Sequence, residues 1–470
     1  MFFRQYELGC LSLFSYLIGD ESTGRAVVVD PQRDVSQYLG DAEAQGLKIE
    51  RVIETHFHAD FLSGHLELAA ATGAVISYGE AARTEFAMDP LAHGQRLSLG
   101  EVSLEVRATP GHTPESISVV VSERPGDEPW GVLTGDTLFI GDVGRPDLLS
   151  SAGASATDLA AALYRSLHEQ LLTLPDGVRV FPAHGAGSAC GKNLSTATQS
   201  TIGEQRATNY ALQPMAEEDF VAAVTTGQAV APPYFGFAAR ANRSDHELLG
   251  DSGPPPVLAV EEVARWLADG AVLIDGRPAA EFASGHLRGA VNVGMEGRFA
   301  EYAGDIARPD QPIVLVTDPG REAEARVRLA RIGFDRVVGA VGDVQRVLAE
   351  HPELAVPALR ISAGDFAAWD STDGPVQVVD VRNPGEQEGG VIPGARRIPL
   401  AALLGRIDEL DPATTTIVYC AGGYRSAIAA SALSAQGFTL VADILGGYDA
   451  WKAAGFPTTK PERSEEPLRR

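Results

Sequence analysis

The C-terminal half of the chain repeats itself, and this narrows the possible folds more than any other feature. Val272-Leu-Ile-Asp-Gly-Arg277 answers to Val378-Val-Asp-Val-Arg382. Gly285-His-Leu-Arg-Gly-Ala-Val-Asn292 answers to Gly390-Val-Ile-Pro-Gly-Ala-Arg-Arg397, and Pro312-Ile-Val-Leu-Val-Thr317 to Thr416-Ile-Val-Tyr419. The period is about a hundred residues, the length of a small domain rather than of a solenoid repeat. Each copy opens on an apolar run ending at an acid, the pattern of a buried strand. Two copies of one small α/β domain are therefore expected, over residues 257–350 and 357–460.

What precedes them reads as a different domain, residues 1–245, joined through a linker at 246–256 that is rich in Gly and Pro. At 470 residues the chain has room for about three domains. Strand-like runs at Leu11–Ile18, Ala26–Asp30 and Arg51–Glu54 alternate with helical patterns near Val35–Gln45 and Gly64–Ala71. This predicts an α/β layer fold with its site where strands end.

Chemistry concentrates at those strand ends. Thr55-His-Phe-His-Ala-Asp-Phe-Leu-Ser-Gly-His65 packs three histidines and a carboxylate into eleven residues. Alternate residues of an extended chain point to one side, so His56 and His58 can face one cleft. Three later segments place His112, Asp136 and His184 among turn residues after apolar runs. One His-x-His is weak evidence; the four segments together predict a metal site. His65, near a helix start, reads as structural, and His93, His168, His246 and His351 as exposed.

In these segments the chain resembles the metallo-β-lactamase superfamily. Within it, Phe139-Ile-Gly-Asp-Val-Gly-Arg-Pro-Asp147 and Pro182-Ala-His-Gly-Ala-Gly-Ser-Ala-Cys-Gly191 are similar to loops of persulfide dioxygenases. The resemblance implies an αββα sandwich and carries over His56, His112 and Asp136 as metal ligands. Dinuclear members have an Asp-His pair where this chain has Asp60-Phe61. A phenyl ring cannot ligate, so one metal per chain is expected. Two imidazoles and a carboxylate suit non-haem Fe(II), although zinc hydrolases also use three protein ligands. His58 and Asp60 are expected to orient the ligands. His184 is expected to face substrate, and Arg145 to hold its loop to the body. Cys190, six residues after His184, either takes sulfur from the substrate or fills a small-residue position.

The second repeat contains Ile417-Val-Tyr-Cys420-Ala-Gly-Gly-Tyr-Arg425-Ser. A strand ends at Cys420 and a helix is predicted from about Arg425, so a short Gly-rich loop can aim N–H groups at the sulfur. Such a cradle favours thiolate. Residues 359–457 resemble the rhodanese family through Val379-Asp-Val-Arg382, Pro393-Gly-Ala-Arg396 and Gly446-Gly-Tyr-Asp-Ala-Trp451. A six-residue loop goes with sulfur transfer in that family, which makes Cys420 a sulfur acceptor, with Arg425 holding the anion or bracing the loop. The first repeat has Asp318 in place of the cysteine. A carboxylate cannot carry persulfide sulfur, though it can cap the next helix, with Pro319 behind it. Residues 257–350 thus read as an inactive rhodanese module that spaces domains or makes an oligomer contact.

The resemblances imply a persulfide dioxygenase joined to a thiosulfate sulfurtransferase. A low-molecular-weight thiol persulfide and O2 would yield sulfite at Fe(II). Cys420 would pass sulfur to sulfite, forming thiosulfate, in sulfide detoxification. The reverse order, with Cys420 feeding persulfide to iron, uses the same residues. Two rivals stand: a zinc thioester hydrolase of the glyoxalase II type, and a non-catalytic sulfur carrier or sensor. A formal charge of −25 argues against nucleic acid and anionic membranes as partners. Three scattered cysteines, with Cys10 read as packing, fit a reducing cytoplasm better than a disulfide framework. A homo-oligomer is expected, and the thiol stays open.

Overall fold

The computed structural model describes residues 1–148, 153, 155–250, 253–369 and 374–460. It divides into two compact units, Met1–Ser252 with Leu329–Asp335, and Gly253–Arg328 with Arg336–Arg470. Both repeats fall in the second unit, apart from the Leu329–Asp335 segment. Of the proposed linker, residues 251 and 252 lie outside the described set.

The first unit is built on two six-stranded sheets. One runs in chain order through β1 (Phe2–Leu8), β2 (Leu13–Asp20), β3 (Arg25–Val29), β4 (Lys48–Ile53), β5 (Val75–Gly79) and β6 (Asp89–Leu91). The other holds β7 (Arg96–Ser98), β8 (Ser103–Ala108), β9 (Ile117–Ser122), β10 (Gly131–Gly135), β11 (Arg179–Pro182) and β12 (Ser200–Thr201). Strand alternation explains the layering. Val27 and Val29 of β3 enter the core between the sheets with Leu104, Val119, Leu133 and Phe181. Ala26 and Val28 face the other way, onto Tyr38 and Leu68 of the helices Ser36–Ala44 and His65–Thr72. On the second sheet Val120, Val132 and Val180 meet Leu163 and Phe220 of the helices Ala156–Ser166 and Glu217–Thr225. Both sheets are thus apolar on both faces, which the αββα sandwich requires. The segment Leu329–Asp335 joins this unit through Arg33, which is 1% exposed and reaches Glu67 (2.9 Å), Asp335 (2.6 Å) and the Ala330 carbonyl (3.0 Å).

The second unit shows why the repeat repeats. In the first copy β13 (Val272–Asp275) is flanked by β15 (Ala290–Asn292) and β16 (Ile313–Val316), followed by β17 (Val337–Ala340), all parallel. The two short strands β14 (His286–Leu287) and β18 (Ala355–Val356) pair separately. In the second copy β19 (Leu359–Ile361), β20 (Val376–Asp380), β21 (Arg396–Arg397), β22 (Thr415–Tyr419) and β23 (Val441–Ile444) form a parallel sheet in the order β19-β23-β22-β20-β21. Each copy carries a buried Asp-x-Arg fork at the end of one inner strand, β13 in the first and β20 in the second. Arg277 reaches Asp275 at 2.6 Å and the Gly285 carbonyl at 3.2 Å; Arg382 reaches Asp380 at 2.6 Å and the Gly390 carbonyl at 2.8 Å. The first two pairs of shared sequence words are the parts of this fork, and the third is the strand beside it.

In the first unit Asp142 ties together the two loops that carry the dioxygenase-like signatures. It is fully buried and accepts from Val143 N–H (2.8 Å), Tyr210 O–H (2.9 Å), Lys192 N–H (2.6 Å) and Asn193 N–H (2.7 Å). Asp142→Ala strands four donors, the Val143 N–H buried and the other three less so, and is expected to destabilise the first unit by about 3 kcal/mol. Calorimetry of the full chain checks this; an unmoved first transition would contradict it.

Candidate metal centre and cysteine loop

The ends of β4, β10 and β11 bring the predicted histidines and carboxylates to one place. Nε2 of His56, Nε2 of His112 and Oδ2 of Asp136 converge: His112 to Asp136 is 3.4 Å, His56 to Asp136 is 3.8 Å, and all three residues are buried. Hydrogen bonds on the far side decide where the lone pairs point. Thr55 Oγ1 donates to Asp30 Oδ2 (2.9 Å), so it must accept from His56 Nδ1 (2.9 Å). His112 Nδ1 faces the Arg145 carbonyl at 2.8 Å, and a carbonyl only accepts. Both rings therefore carry their proton on Nδ1 and turn a bare Nε2 inward. His56 Nε2 and Asp136 Oδ2 are buried without a hydrogen-bond partner. Burial and the neighbouring His58 push His56 well below the ordinary imidazole range, while the protonated His184 holds Asp136 ionised against the cost of burial. Two neutral imidazoles and one carboxylate with unused lone pairs fit a transition-metal ion.

The residues around this set are engaged by others. His184 places Nδ1 2.8 Å from Asp136 Oδ1 and Nε2 2.8 Å from Asp60 Oδ2. Burial opposes its charge, yet Asp136 and Asp60 keep it protonated well above the ordinary range. Both nitrogens of the histidine expected to face substrate thus face carboxylates. His58 sets Nε2 3.1 Å from Asp30 and 3.5 Å from Glu54. Burial alone would lower its pKa, but Asp30 and Glu54 push it up to about 10. The buried Phe61 ring lies 4.3 Å from the His58 ring. His58, Asp60 and His184 nonetheless form a second close group of buried donors; Asp136, His184 and Cys190 form another, and so do Asp30, Glu54 and His58. Cys190 is buried, and burial followed by Asp60 and Asp136 pushes its thiol well up. Arg145 forks to Asp147 (2.7 and 2.7 Å) and donates to the Ala189 carbonyl (3.2 Å), holding its loop.

Several participants escaped the sequence reading. Asp30 ends a valine-rich strand at φ 51°, a left-handed value that Asp tolerates, and sends one oxygen to Thr55 N–H (2.7 Å) and the other to Thr55 O–H. Asn242, buried, donates to the carbonyls of His58 and Phe61 at 2.8 Å each. A buried acid closing an apolar strand was the available signal for Asp30; nothing local marks Asn242. His65 is buried beside Glu54 at 3.6 Å. Of the histidines expected to be exposed, only His93 is; His168, His246 and His351 are half-buried, the first two against backbone carbonyls (Tyr164, and Ala241 and Ser244). Cys10 is half-buried and accepts from Arg331 at 3.4 Å.

In the second unit β22 delivers Cys420 to a loop that ends where the helix Tyr424–Ala435 begins. Cys420 is 2% exposed, and its sulfur accepts from Gly423 N–H at 3.1 Å and lies 3.6 Å from Ser426 Oγ. Arg360 is forked onto Asp443 (2.9 and 2.8 Å) and lies close behind the loop, its Nη2 3.7 Å from where a Gly423 Cβ would stand. Arg425 is forked onto Glu386 (2.7 and 2.7 Å), so it braces the loop. The Gly-Gly-x-x-x-Trp word has a steric cause. Gly446 and Gly447 sit at φ 71° and 55°, and a Cβ on Gly447 would stand 2.3 Å from the Cys420 carbonyl. In the first copy the cap expected from Asp318 is absent. The helix starts at Glu322, too far downstream, and the Asp318 carbonyl accepts from Arg321 N–H (3.1 Å).

Comparison with known proteins divides the chain into the same kinds of domain. The metallo-beta-lactamase superfamily pattern matches residues 8–184, and that of the rhodanese-like domain matches 259–349 and 362–454. The crystal structure of a metallo-beta-lactamase from Staphylococcus aureus subsp. aureus COL is 33% identical, with a TM-score of 0.66 over 72% of this chain and 98% of that one. The human protein "Persulfide dioxygenase ETHE1, mitochondrial" is 31% identical over 233 residues, 49% of this chain and 82% of that protein. A cytoplasmic hydroxyacylglutathione hydrolase of Arabidopsis thaliana is 34% identical over 173 residues, 36% of this chain and 63% of its own. Fold and site together define a metallo-β-lactamase domain followed by two rhodanese-like domains, the first degenerate. The chain belongs to the persulfide dioxygenase family of that superfamily, a membership that ties it to sulfur metabolism. Among the described residues no helix is long and apolar enough to cross a membrane.

The donor set makes a direct prediction. His56→Ala, His112→Ala and Asp136→Ala should each lose the bound metal, read by elemental analysis, while His93→Ala keeps it. Full metal occupancy in all three would reject the set.

Proposed function

We propose that this chain oxidises a low-molecular-weight thiol persulfide with O2 at a single ferrous ion held by His56, His112 and Asp136, and transfers sulfur at Cys420. The observation that carries the reading is the convergence of three buried donors with unused lone pairs beside Phe61, in a chain that also presents Cys420 in a six-residue loop. A ferrous ion supplies dioxygen activation and a Lewis-acidic seat for sulfur.

The protein's own part is to hold and to exclude. Thr55 and the Arg145 carbonyl keep the two imidazoles aimed, and His184 immobilises Asp136 by its other oxygen. Phe61 and Phe139, both fully buried, wall the cleft against water, and Cys190 stays a neutral thiol. Phe61 occupies the position where dinuclear relatives have a histidine, and His58 is drawn away by Asp30 and Glu54. This favours one ion over two.

At the second site the Cys420 thiolate attacks the terminal sulfur of a persulfide. The S–S bond breaks, the thiol leaves with its electron pair, and Cys420 keeps the sulfur as a persulfide. Sulfite then takes that sulfur, giving thiosulfate and returning the thiolate. The Gly423 N–H steadies the Cys420 thiolate. Sulfide detoxification in the cytoplasm is the setting proposed. The resemblance to a hydroxyacylglutathione hydrolase keeps a zinc thioester hydrolase as the second reading.

Purified protein should contain about one iron and consume oxygen with a thiol persulfide; two zincs with thioester cleavage under strict anaerobiosis would support the second reading instead. Cys420→Ser should abolish thiosulfate:cyanide sulfur transfer while oxygen uptake continues. Thiosulfate as product under air points to sulfite feeding Cys420; sulfite alone points to the reverse order.

A further inference from the structure

The first rhodanese-like module lacks a nucleophile, yet it grips the loop that carries one. We propose that it acts as a positioning element for the Cys420 loop, gripping it at Tyr424; this rests on the sulfurtransferase reading above.

The loop from Cys420 to Arg425 is anchored unequally. Its first half is fixed by its own module. Tyr448 N–H donates to the Cys420 carbonyl (2.7 Å) and Asp449 N–H to the Ala421 carbonyl (3.1 Å). Gly422, at the crown, is exposed, with nothing within 4 Å of its Cβ position. The second half includes Gly423, at φ 106°, whose N–H points at the sulfur. The next residue, Tyr424, opens the helix and reaches into the degenerate module.

There its phenol donates to the Gly294 carbonyl at 2.6 Å. Its ring covers Gly297: the three atoms nearest a Cβ placed there all belong to Tyr424, at 2.7 to 2.9 Å. The Tyr302 ring lies 5.5 Å away, edge-on. The receiving backbone is itself held, because Arg328 donates to the carbonyls of Met295 (2.6 Å) and Gly297 (2.7 Å). About two turns further along the same face, Asn292 N–H donates to Ser431 Oγ at 2.9 Å. Within its own module the exit of the loop has the Arg425–Glu386 fork. Gly297 sits at no left-handed φ, so its own turn does not demand glycine. The space it leaves is the space Tyr424 fills.

An N–H aimed at sulfur favours the thiolate over the thiol. Gly423 is set by the residues on either side of it, so loosening Tyr424 loosens that N–H. Tyr424 is thus a positioning residue: it acts on Cys420 through Gly423, without touching substrate.

The test uses the full chain with Tyr424→Phe, Gly297→Ala and the double variant. Two quantities are read: kcat of thiosulfate:cyanide transfer, and the pH profile of Cys420 alkylation by iodoacetamide, resolved by mass spectrometry. Each single change should lower kcat about fivefold, the scale of one hydrogen bond. Each should move the alkylation midpoint to higher pH, which a role in folding alone would not do. The double should be no worse than the worse single, because both act on one contact. Singles that leave kcat and midpoint at wild-type values, or effects that multiply in the double, would overturn the proposal. Should Gly297→Ala fail to fold, Tyr424→Phe decides, since it removes one oxygen only. Transfer that survives in Cys420→Ser defeats the sulfurtransferase reading instead, and the alkylation profile still reports on the grip.

Discussion

Asp136 divides its two oxygens between different duties, and the geometry of the metal centre follows from that division. Oδ1 is taken by His184, which is itself held from behind by Asp60. Oδ2 is left bare and faces His56 and His112. A carboxylate free to rotate would offer either oxygen and satisfy itself on the nearest N–H. Here rotation would break a charge-assisted bond in a dry interior, where such bonds are strong and their loss is costly. The three donors stay turned toward one point because every other atom on their rings and carboxylate already has a partner.

The surrounding charges obey the same economy of partners. His58 carries its proton because Asp30 and Glu54 surround its Nε2. Asp30 also fixes Thr55, and through it the tautomer of His56. One acid thereby draws one histidine away from the centre and turns its neighbour toward it. Isolated buried charges of this kind would be intolerable; paired, they specify which ring faces where.

Much of the layered fold was legible because the strands and helices are apolar with clear periods, and β3 shows why: its alternate residues line two different cores. The metal-binding segments were legible because His and Asp stand among turn residues at strand ends. Residues that act at long range in sequence were not. Asn242 clamps the backbone of His58 and Phe61 from about 180 positions away, and no local pattern announces it. The joining of Leu329–Asp335 to the first unit rests on two arginines, Arg33 and Arg331, whose partners lie about 300 positions away, which composition does not reveal. The misjudged histidines are half-buried for a similar reason: a polar sequence context does not say which carbonyl a ring will find.

The Asp-x-Arg forks lie at the ends of β13 and β20, while the nucleophile loop hangs from a neighbouring strand. Scaffold and chemistry are therefore written in separate words of each repeat. After an ancestral duplication, one copy could shed its thiol without losing its shape, since nothing in the fork depends on sulfur. A copy freed of the chemistry still has to keep its fork, its core and the surfaces it presents to its neighbours.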